Sequence, residues 1–148
     1  MKLSLFSDYA LRTLMYAALK DDTVQIDEIT AAYGISRHHL SKIVQFLGQQ
    51  GYLETQRGRG GGMRLGRKPG DIRLGALVRQ TEDQSAIVEC FDPATNTCPL
   101  NGCCALKRAL AEALAAFYAS LDRLTLSDLV SGPQRSAMQR ILLGGRTS

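Results

Sequence analysis

Apolar residues recur at helical spacing three times within the first fifty positions. Over residues 8–20, Leu11, Leu14, Met15, Ala18 and Leu19 return every three or four places, which predicts a helix with one face on a core. Ser7 reads as its N-cap, Asp8 sits in the positively polarised first turn, and Asp21-Asp22-Thr23 breaks the pattern. A short helix over 27–33 follows, with Ile26, Ile29 and Ala32 inward. Gly34-Ile35-Ser36 separates it from a third helix, capped by Ser36 and reaching about Gln50. A short helix, a three-residue turn containing glycine and a longer helix make a helix-turn-helix.

In the third helix Ile35, Leu40, Ile43, Val44 and Leu47 form the apolar stripe. Ser36, Arg37, His38, Ser41, Lys42, Gln45 and Gln49 fall largely on the other side, where side chains reach phosphates and base edges if the helix enters a major groove. Gly51 ends the helix in the left-handed manner of a C-terminal glycine. Residues 52–57, the glycine-rich run 58–62 and residues 63–65 then predict strand, turn and strand, a β-hairpin wing. Arg57, Arg59 and Arg64 flank its tip, placed to follow a minor groove. The run is not a phosphate loop, because no Lys-Ser/Thr and no helix start follow it.

Residues 72–80 predict a further helix with Leu74, Leu77 and Val78 inward, and the stretch 90–104, with its prolines, asparagines and glycine, predicts a loop. From Ala105 a long helix runs to Leu124, with Leu106, Leu110, Ala113, Phe117, Leu121 and Leu124 in one stripe. Following a compact winged unit, such a stripe suits the seam of a homodimer. Met138, Ile141, Leu142 and Leu143 offer docking points in a tail that otherwise looks weakly ordered. The expected organisation is a mainly α chain: a winged helix-turn-helix over 1–80, a cysteine loop over 81–104, a dimerisation helix region over 105–130 and a tail over 131–148.

Charge sharpens the first half of this picture. Residues 1–79 carry 12 Lys/Arg against 7 Asp/Glu, a net of +5, whereas 80–148 carry 6 against 7, a net of −1. Between Arg37 and Lys68 seven cations face only Glu54. A basic face on a helix-turn-helix points to double-stranded DNA as partner. No apolar run reaches the length of a membrane span, and an acid arrives before any signal-like segment develops, so a cytoplasmic protein without a membrane role is expected. Only two histidines occur, both in the third helix, and no nucleophile–base arrangement is evident, so the chain is not expected to be an enzyme.

Four cysteines, Cys90, Cys98, Cys103 and Cys104, fall within fifteen residues. In a reducing cytoplasm structural disulfides are disfavoured. Soft thiolates select zinc, copper(I) or an iron-sulfur cluster. Paired zinc knuckles are absent, since the only near match is the loose Cys98-x4-Cys103, whereas clusters accept wider loops. The helix starting beside Cys104 presents a positive dipole end to an anionic group. The bland alternative is four inert cysteines.

The residues resemble the NsrR group of winged-helix regulators, relatives of the iron-sulfur regulator IscR. The resemblance rests on Phe6-Ser7-Asp8-Tyr9-Ala10-Leu11-Arg12, Tyr33-Gly34-Ile35-Ser36-Arg37-His38-His39 and Gly61-Gly62-Met63-Arg64-Leu65-Gly66. Cys104-Ala105-Leu106-Lys107-Arg108-Ala109-Leu110 and Leu121-Asp122-Arg123-Leu124-Thr125-Leu126-Ser127-Asp128-Leu129 extend it to about Val130. It implies a repressor that holds DNA while a 4Fe-4S cluster is intact, with 2Fe-2S as the alternative, and that releases DNA when nitric oxide attacks the cluster. It also implies ligation by Cys90, Cys98 and Cys104, with Asp8 supplied by the other subunit. Cys98-x5-Cys104 has the family spacing. Cys90-x7-Cys98 is longer than the family's gap, and Cys103 is an additional thiol able to substitute. Lys107 stands where IscR-like proteins have a histidine, which disfavours histidine ligation but leaves an iron- or redox-responsive regulator as the second reading.

Overall fold

The structure is a computed structural model that describes residues 2–83 and 87–144. Helix α1 (Leu5–Lys20) runs through the middle, with Ala10 and Leu14 wholly covered. It begins three residues before the expected start. Ser4 is the N-cap, its hydroxyl oxygen accepting from the Ser7 N–H at 3.1 Å. Ser7 is instead fully buried and donates to Thr81 Oγ1 at 2.6 Å. Thr13 is tolerated at zero exposure because its hydroxyl donates to the Tyr9 carbonyl at 2.7 Å.

Helices α2 (Ile26–Tyr33) and α3 (Arg37–Gln49) form the helix-turn-helix, separated by Gly34 in left-handed geometry at φ 68°. Every predicted stripe residue of α3 is buried. The helix ends on Gln50 as C-cap, with Gly51 at φ 73° one residue beyond. Strands β1 (Leu53–Gln56) and β2 (Gly62–Leu65) pair antiparallel, Leu53 opposite Leu65 and Glu54 opposite Arg64. Both strands lie within the predicted hairpin, although β1 is shorter than expected.

The sequence pattern concealed a third partner for the wing. Val24, in the α1–α2 connection, exchanges both backbone hydrogen bonds with Met63, at 2.7 and 2.8 Å. Gly62 makes this approach possible, because an added Cβ would lie 2.7 Å from the Val24 carbonyl oxygen.

Helix α4 (Leu74–Thr81) starts two residues later than expected. A 3-10 turn at Pro69–Asp71 precedes it, and Ile72 to Leu74 pair with the chain around Thr125 instead. Leu74 N–H donates to the Leu124 carbonyl at 3.0 Å, and Leu126 N–H donates to the Ile72 carbonyl at 2.8 Å. The same pairing ends the long helix α5 (Ala105–Asp122) before the expected Leu124. Gly75 lets the two helices meet, since a Cβ there would strike the Asp122 carboxylate.

The chain then returns to the body. Leu126 and Val130 of α6 (Leu126–Val130) are buried in the core that α1 organises. The expected weakly ordered tail is in fact α7 (Arg135–Leu143) through position 143. Met138, Leu142 and Leu143 pack on the core as anticipated, Gln139 donates to the Leu19 carbonyl at 3.0 Å, and Ile141 points outward at 80% exposure. Among the described residues no helix is long and apolar enough to cross a membrane.

Candidate nucleic-acid interface and thiolate site

Amphipathic α3 must turn its polar side outward once its apolar stripe is buried. Ser36, Arg37, His38, Ser41, Lys42, Gln45 and Gln49 are accordingly all exposed. Ser36 is the cap, accepting from the His39 N–H at 3.3 Å, and the Ser41 hydroxyl turns back to the Arg37 carbonyl at 2.8 Å. Arg37 donates through Nη1 to Asp27 Oδ1 in the first turn of α2. On the wing, Arg64 pairs with cross-strand Glu54 at 3.4 Å. Lys42, Arg57 and Arg59 are exposed and have no acid partner among the described residues.

Wing and helices meet around a cleft of about 320 Å³ whose lining includes Gln25, Asp27, Arg37, Gly58 and Gly61. The Gln25 side-chain amide donates to the Gly61 carbonyl, fixing the turn against the start of α2. At the wing's other end, Arg67 lies 4.6 Å over the Tyr52 ring and donates to the Gln50 carbonyl at 2.6 Å. Gln25 and Arg67 were not singled out from the sequence. Neither carried a local signal, because Arg67 meets Tyr52 only across the hairpin and Gln25 meets Gly61 only across the fold.

The cysteines occupy the connection between α4 and α5. All four are free thiols, Cys103 exposed and the others half-buried. Glu89, beside Cys90, accepts from the Thr97 N–H at 2.5 Å and the Thr97 hydroxyl at 2.6 Å, beside Cys98. The two thiols separated by seven residues are therefore carried on neighbouring backbone. Asp92 closes the intervening turn through Ala94 N–H and Thr95, and Asn96 accepts from the Cys98 N–H at 3.0 Å. Cys104 is the N-cap of α5, its Sγ accepting from the Lys107 N–H at 3.4 Å. Lys107, in turn, donates to Asn101 at 2.8 Å.

Asp8 sits in the first turn of α1 and pairs with Arg12 at 3.0 Å. The Arg12 guanidinium also lies 6.0 Å from the Tyr9 ring and 5.5 Å from the ring of Tyr33, the last residue of α2. Burial is the main cause that lifts the Tyr33 phenol above its usual range, and Arg12 works against it. Among the described residues no three His, Cys, Asp or Glu side chains of one chain are gathered into a metal-holding group. The donors themselves suit an iron-sulfur cluster: soft free thiols, one of them at a helix N-terminus, with a carboxylate available elsewhere.

The start of α1 is fastened to the end of α4, where the cysteine connection departs. Ser4 donates to Glu82 through both its N–H and its hydroxyl, each at 2.8 Å. Burial pushes the Glu82 carboxyl up, but hydrogen bonds from Ser7 and Ser4 outweigh it and hold the group below its ordinary range.

Helix α5 divides its stripe between two surroundings. Tyr118 is buried, with Leu110, Leu114, Phe117 and Leu121 half-buried on the same side, whereas Leu106, Ala113 and Leu124 are exposed. Leu114 and Tyr118 were not in the predicted stripe, yet they sit on the side facing the protomer's own body. Arg79 clamps this contact, bidentate to Asp122 at 2.6 and 2.7 Å and 4.5 Å over the Tyr118 ring. An apolar groove of about 450 Å³ lies between Leu3, Ile87 and Val88 on one side and Leu110 and Phe117 on the other.

Over residues 3–132 the chain matches the family described as Rrf2, iron-dependent transcriptional regulator. It is 48% identical over 136 residues to the HTH-type transcriptional regulator NsrR of Bacillus subtilis (strain 168), covering 90% of this chain and 93% of that protein. It is 46% identical over 144 residues to the protein of the same name from Geobacillus kaustophilus (strain HTA426), covering 96% and 97%. The solved structure of T. potens IscR shares the fold, with a TM-score of 0.70 at 22% identity over 88% of this chain and 86% of that one.

Proposed function

We propose, for a chain that belongs to the Rrf2 family of transcriptional regulators, that it is a cytoplasmic homodimeric repressor whose hold on operator DNA depends on an iron-sulfur cluster and is broken by nitric oxide. The observation that carries the DNA reading is the outward face of α3 continued by the wing, with Lys42, Arg57 and Arg59 exposed and without an acid partner among the described residues. Helix α3 would lie in the major groove with Arg37, His38, Ser41, Lys42 and Gln45 toward the bases, while Arg57, Arg59 and Arg64 follow the backbone or minor groove. Two such faces must sit about 34–36 Å apart to read adjacent half-sites. The exposed Leu106, Ala113 and Leu124, with the partly covered Leu110, Phe117 and Leu121, are assigned to the seam that sets this distance.

Cys90, Cys98 and Cys104 are assigned as thiolate ligands and Asp8 as the carboxylate contributed by the second subunit, with Cys103 the substitute thiol. The Glu89–Thr97 clasp supports pairing Cys90 with Cys98, and the cap position of Cys104 sets its sulfur at the positive end of α5, which suits an anionic cluster. When bound, a cluster, 4Fe-4S by preference and 2Fe-2S as the alternative, supplies the group that nitric oxide destroys. For this chain the consequence runs through Asp8. A carboxylate engaged by the second subunit's loop is withdrawn from Arg12, and Arg12 touches Tyr33 at the end of α2. Freed Asp8 returns to Arg12, and the seat of the helix-turn-helix changes with it. Occupancy and DNA affinity are then linked reciprocally, by about 1–3 kcal/mol as such couplings usually are.

The test compares cluster-loaded protein, cluster-free protein and Cys98→Ala for DNA affinity at one salt concentration. Tight binding is expected from the first alone, with nitric oxide converting it into the second. Equal affinity in all three reduces the cysteine loop to a structural staple. The second reading, an iron- or redox-responsive regulator using the same loop, predicts that nitric oxide leaves the loaded protein on DNA while iron depletion or an oxidant releases it. The exposed Cys103 thiol is the feature that favours it.

A further inference from the structure

We propose that Asp27 is a specificity-determining residue of the DNA-reading face: paired with Arg37, it withholds that guanidinium from phosphate while leaving its remaining N–H groups for a neutral base edge. The inference rests on the DNA-binding reading above. Arg37 is the first residue of α3, so its cation stands at the positively polarised end of that helix, where a cation is disfavoured. Asp27 lies in the first turn of α2, where an acid is favoured. The two side chains are 63% and 74% exposed, so charge rather than burial holds them together and the pair exchanges readily. Neither side chain has another partner among the described residues. Both line the cleft where α2, α3 and the wing converge.

Such a pair treats the two kinds of DNA acceptor differently. A phosphate approaching Arg37 also meets the Asp27 carboxylate, and the repulsion offsets much of the attraction. A guanine O6 or N7 carries no net charge and responds mainly to donor direction. Arginine has five N–H donors and Asp27 engages one of them. Asp27 therefore subtracts from sequence-independent affinity and largely spares sequence-dependent contacts. Arg57 and Arg59, on the wing, supply the phosphate attraction instead. The Arg64–Glu54 pair differs because it bridges opposite residues of the hairpin, a place where opposite charges stabilise the strands themselves.

The experiment uses the full chain purified without oxygen and two duplexes of equal length, one selected by the wild-type protein from a random-sequence pool and one scrambled. Affinities are measured across a salt series for wild type, Asp27→Asn, Asp27→Glu, Arg37→Ala and the Asp27→Asn/Arg37→Ala pair. Asp27→Asn should tighten binding to the scrambled duplex about three- to tenfold near 0.1 M salt and steepen the log–log salt slope by about one. The selected duplex should gain less, so discrimination falls. Asp27→Glu should keep the wild-type ratio, and Asp27→Asn should be silent once Arg37 is alanine. An unchanged ratio and slope in Asp27→Asn would overturn the proposal, as would an effect of equal size without Arg37, which makes Asp27 a plain surface charge. A wild-type protein that binds neither duplex overturns instead the DNA-binding reading beneath it.

Discussion

The winged body and the cysteine-bearing connection with α5 are built on opposite terms. In the body, α1, α3 and the wing bury whole side chains, and Leu14, Ile29, Leu40 and Leu47 have no exposed surface. Between residues 87 and 122 Tyr118 alone, among the described residues, is buried, and it keeps 5% of its surface exposed. The cysteine loop is held by side-chain to backbone bonds such as Glu89 to Thr97 and Asn96 to Cys98. Hydrophobic burial gives one region a single packed state. Exposed polar bonds that compete with water give the other an arrangement that a ligand or a second chain can readily replace.

The largest expected effect tests the two kinds of leucine. Leu14→Ala should cost about 2–5 kcal/mol of unfolding free energy at every protein concentration, as cavity-forming changes in packed cores do. Leu106→Ala, at a residue 65% exposed, should matter only while chains are associated and fade on dilution. Denaturant unfolding at two concentrations separates them, and a concentration-independent loss at Leu106 equal to that at Leu14 would erase the contrast. A smaller effect is expected from Glu89→Ala. Stability should stay close to that of wild type, as for most surface changes, while cluster content after anaerobic reconstitution falls. The visible absorbance of the reconstituted protein reads the second quantity.

The smallest effect concerns acid. The Arg79 hydrogen bond holds the Asp122 carboxyl below its usual range, and Thr125 does the same for Asp128 and Thr97 for Glu89. Glu82 shares the direction because bonds from Ser7 and Ser4 exceed the opposing effect of its burial. Lowered carboxyls contribute stability above the ordinary carboxylate value of about 4, and the contribution disappears as pH falls through the depressed folded-state values. Stability arising from these four groups should therefore be flat from pH 8 to 5 and decline below about 4. Unfolding midpoints across that series check it, with Glu82→Gln expected to flatten part of the acid limb.

The same division governs what could be read from the sequence. Periodicity reports burial, and the stripes of α1, α2 and α3 proved to be the core they predicted. Ser7 failed as a cap because two earlier residues, Leu5 and Phe6, extend the helix, and Ser4 is the hydroxyl left at its true end. The α7 helix was missed as an ordered element because it is short and Pro133 precedes it, although its apolar positions were noted as docking points; packing on α1 supplies the order. The Val24–Met63 bridge and the pairing of Ile72–Leu74 with Leu124–Leu126 are single backbone exchanges between distant segments, and no local pattern encodes them. At the thiolate site the sequence displayed the donors but not the Glu89–Thr97 clasp. The Asp8–Arg12 pair was visible as an i,i+4 spacing, and the structure forms it.

The pins that join α5 to the body cluster at one end: Tyr118, Asp122 and the strand-like exchange through Leu124. The helix has 18 residues, and at 1.5 Å per residue it is an arm about 27 Å long with its pivot beside α4. Cys104 caps the free end. A rotation of about 10° at the pivot therefore sweeps that sulfur through about 5 Å, roughly one helical turn. Read backwards, the arm is a reduction gear: a displacement of several ångströms at the Cys104 end would arrive at α4, and at the α1 terminus fastened to it by Ser4 and Glu82, as a tilt of a few degrees.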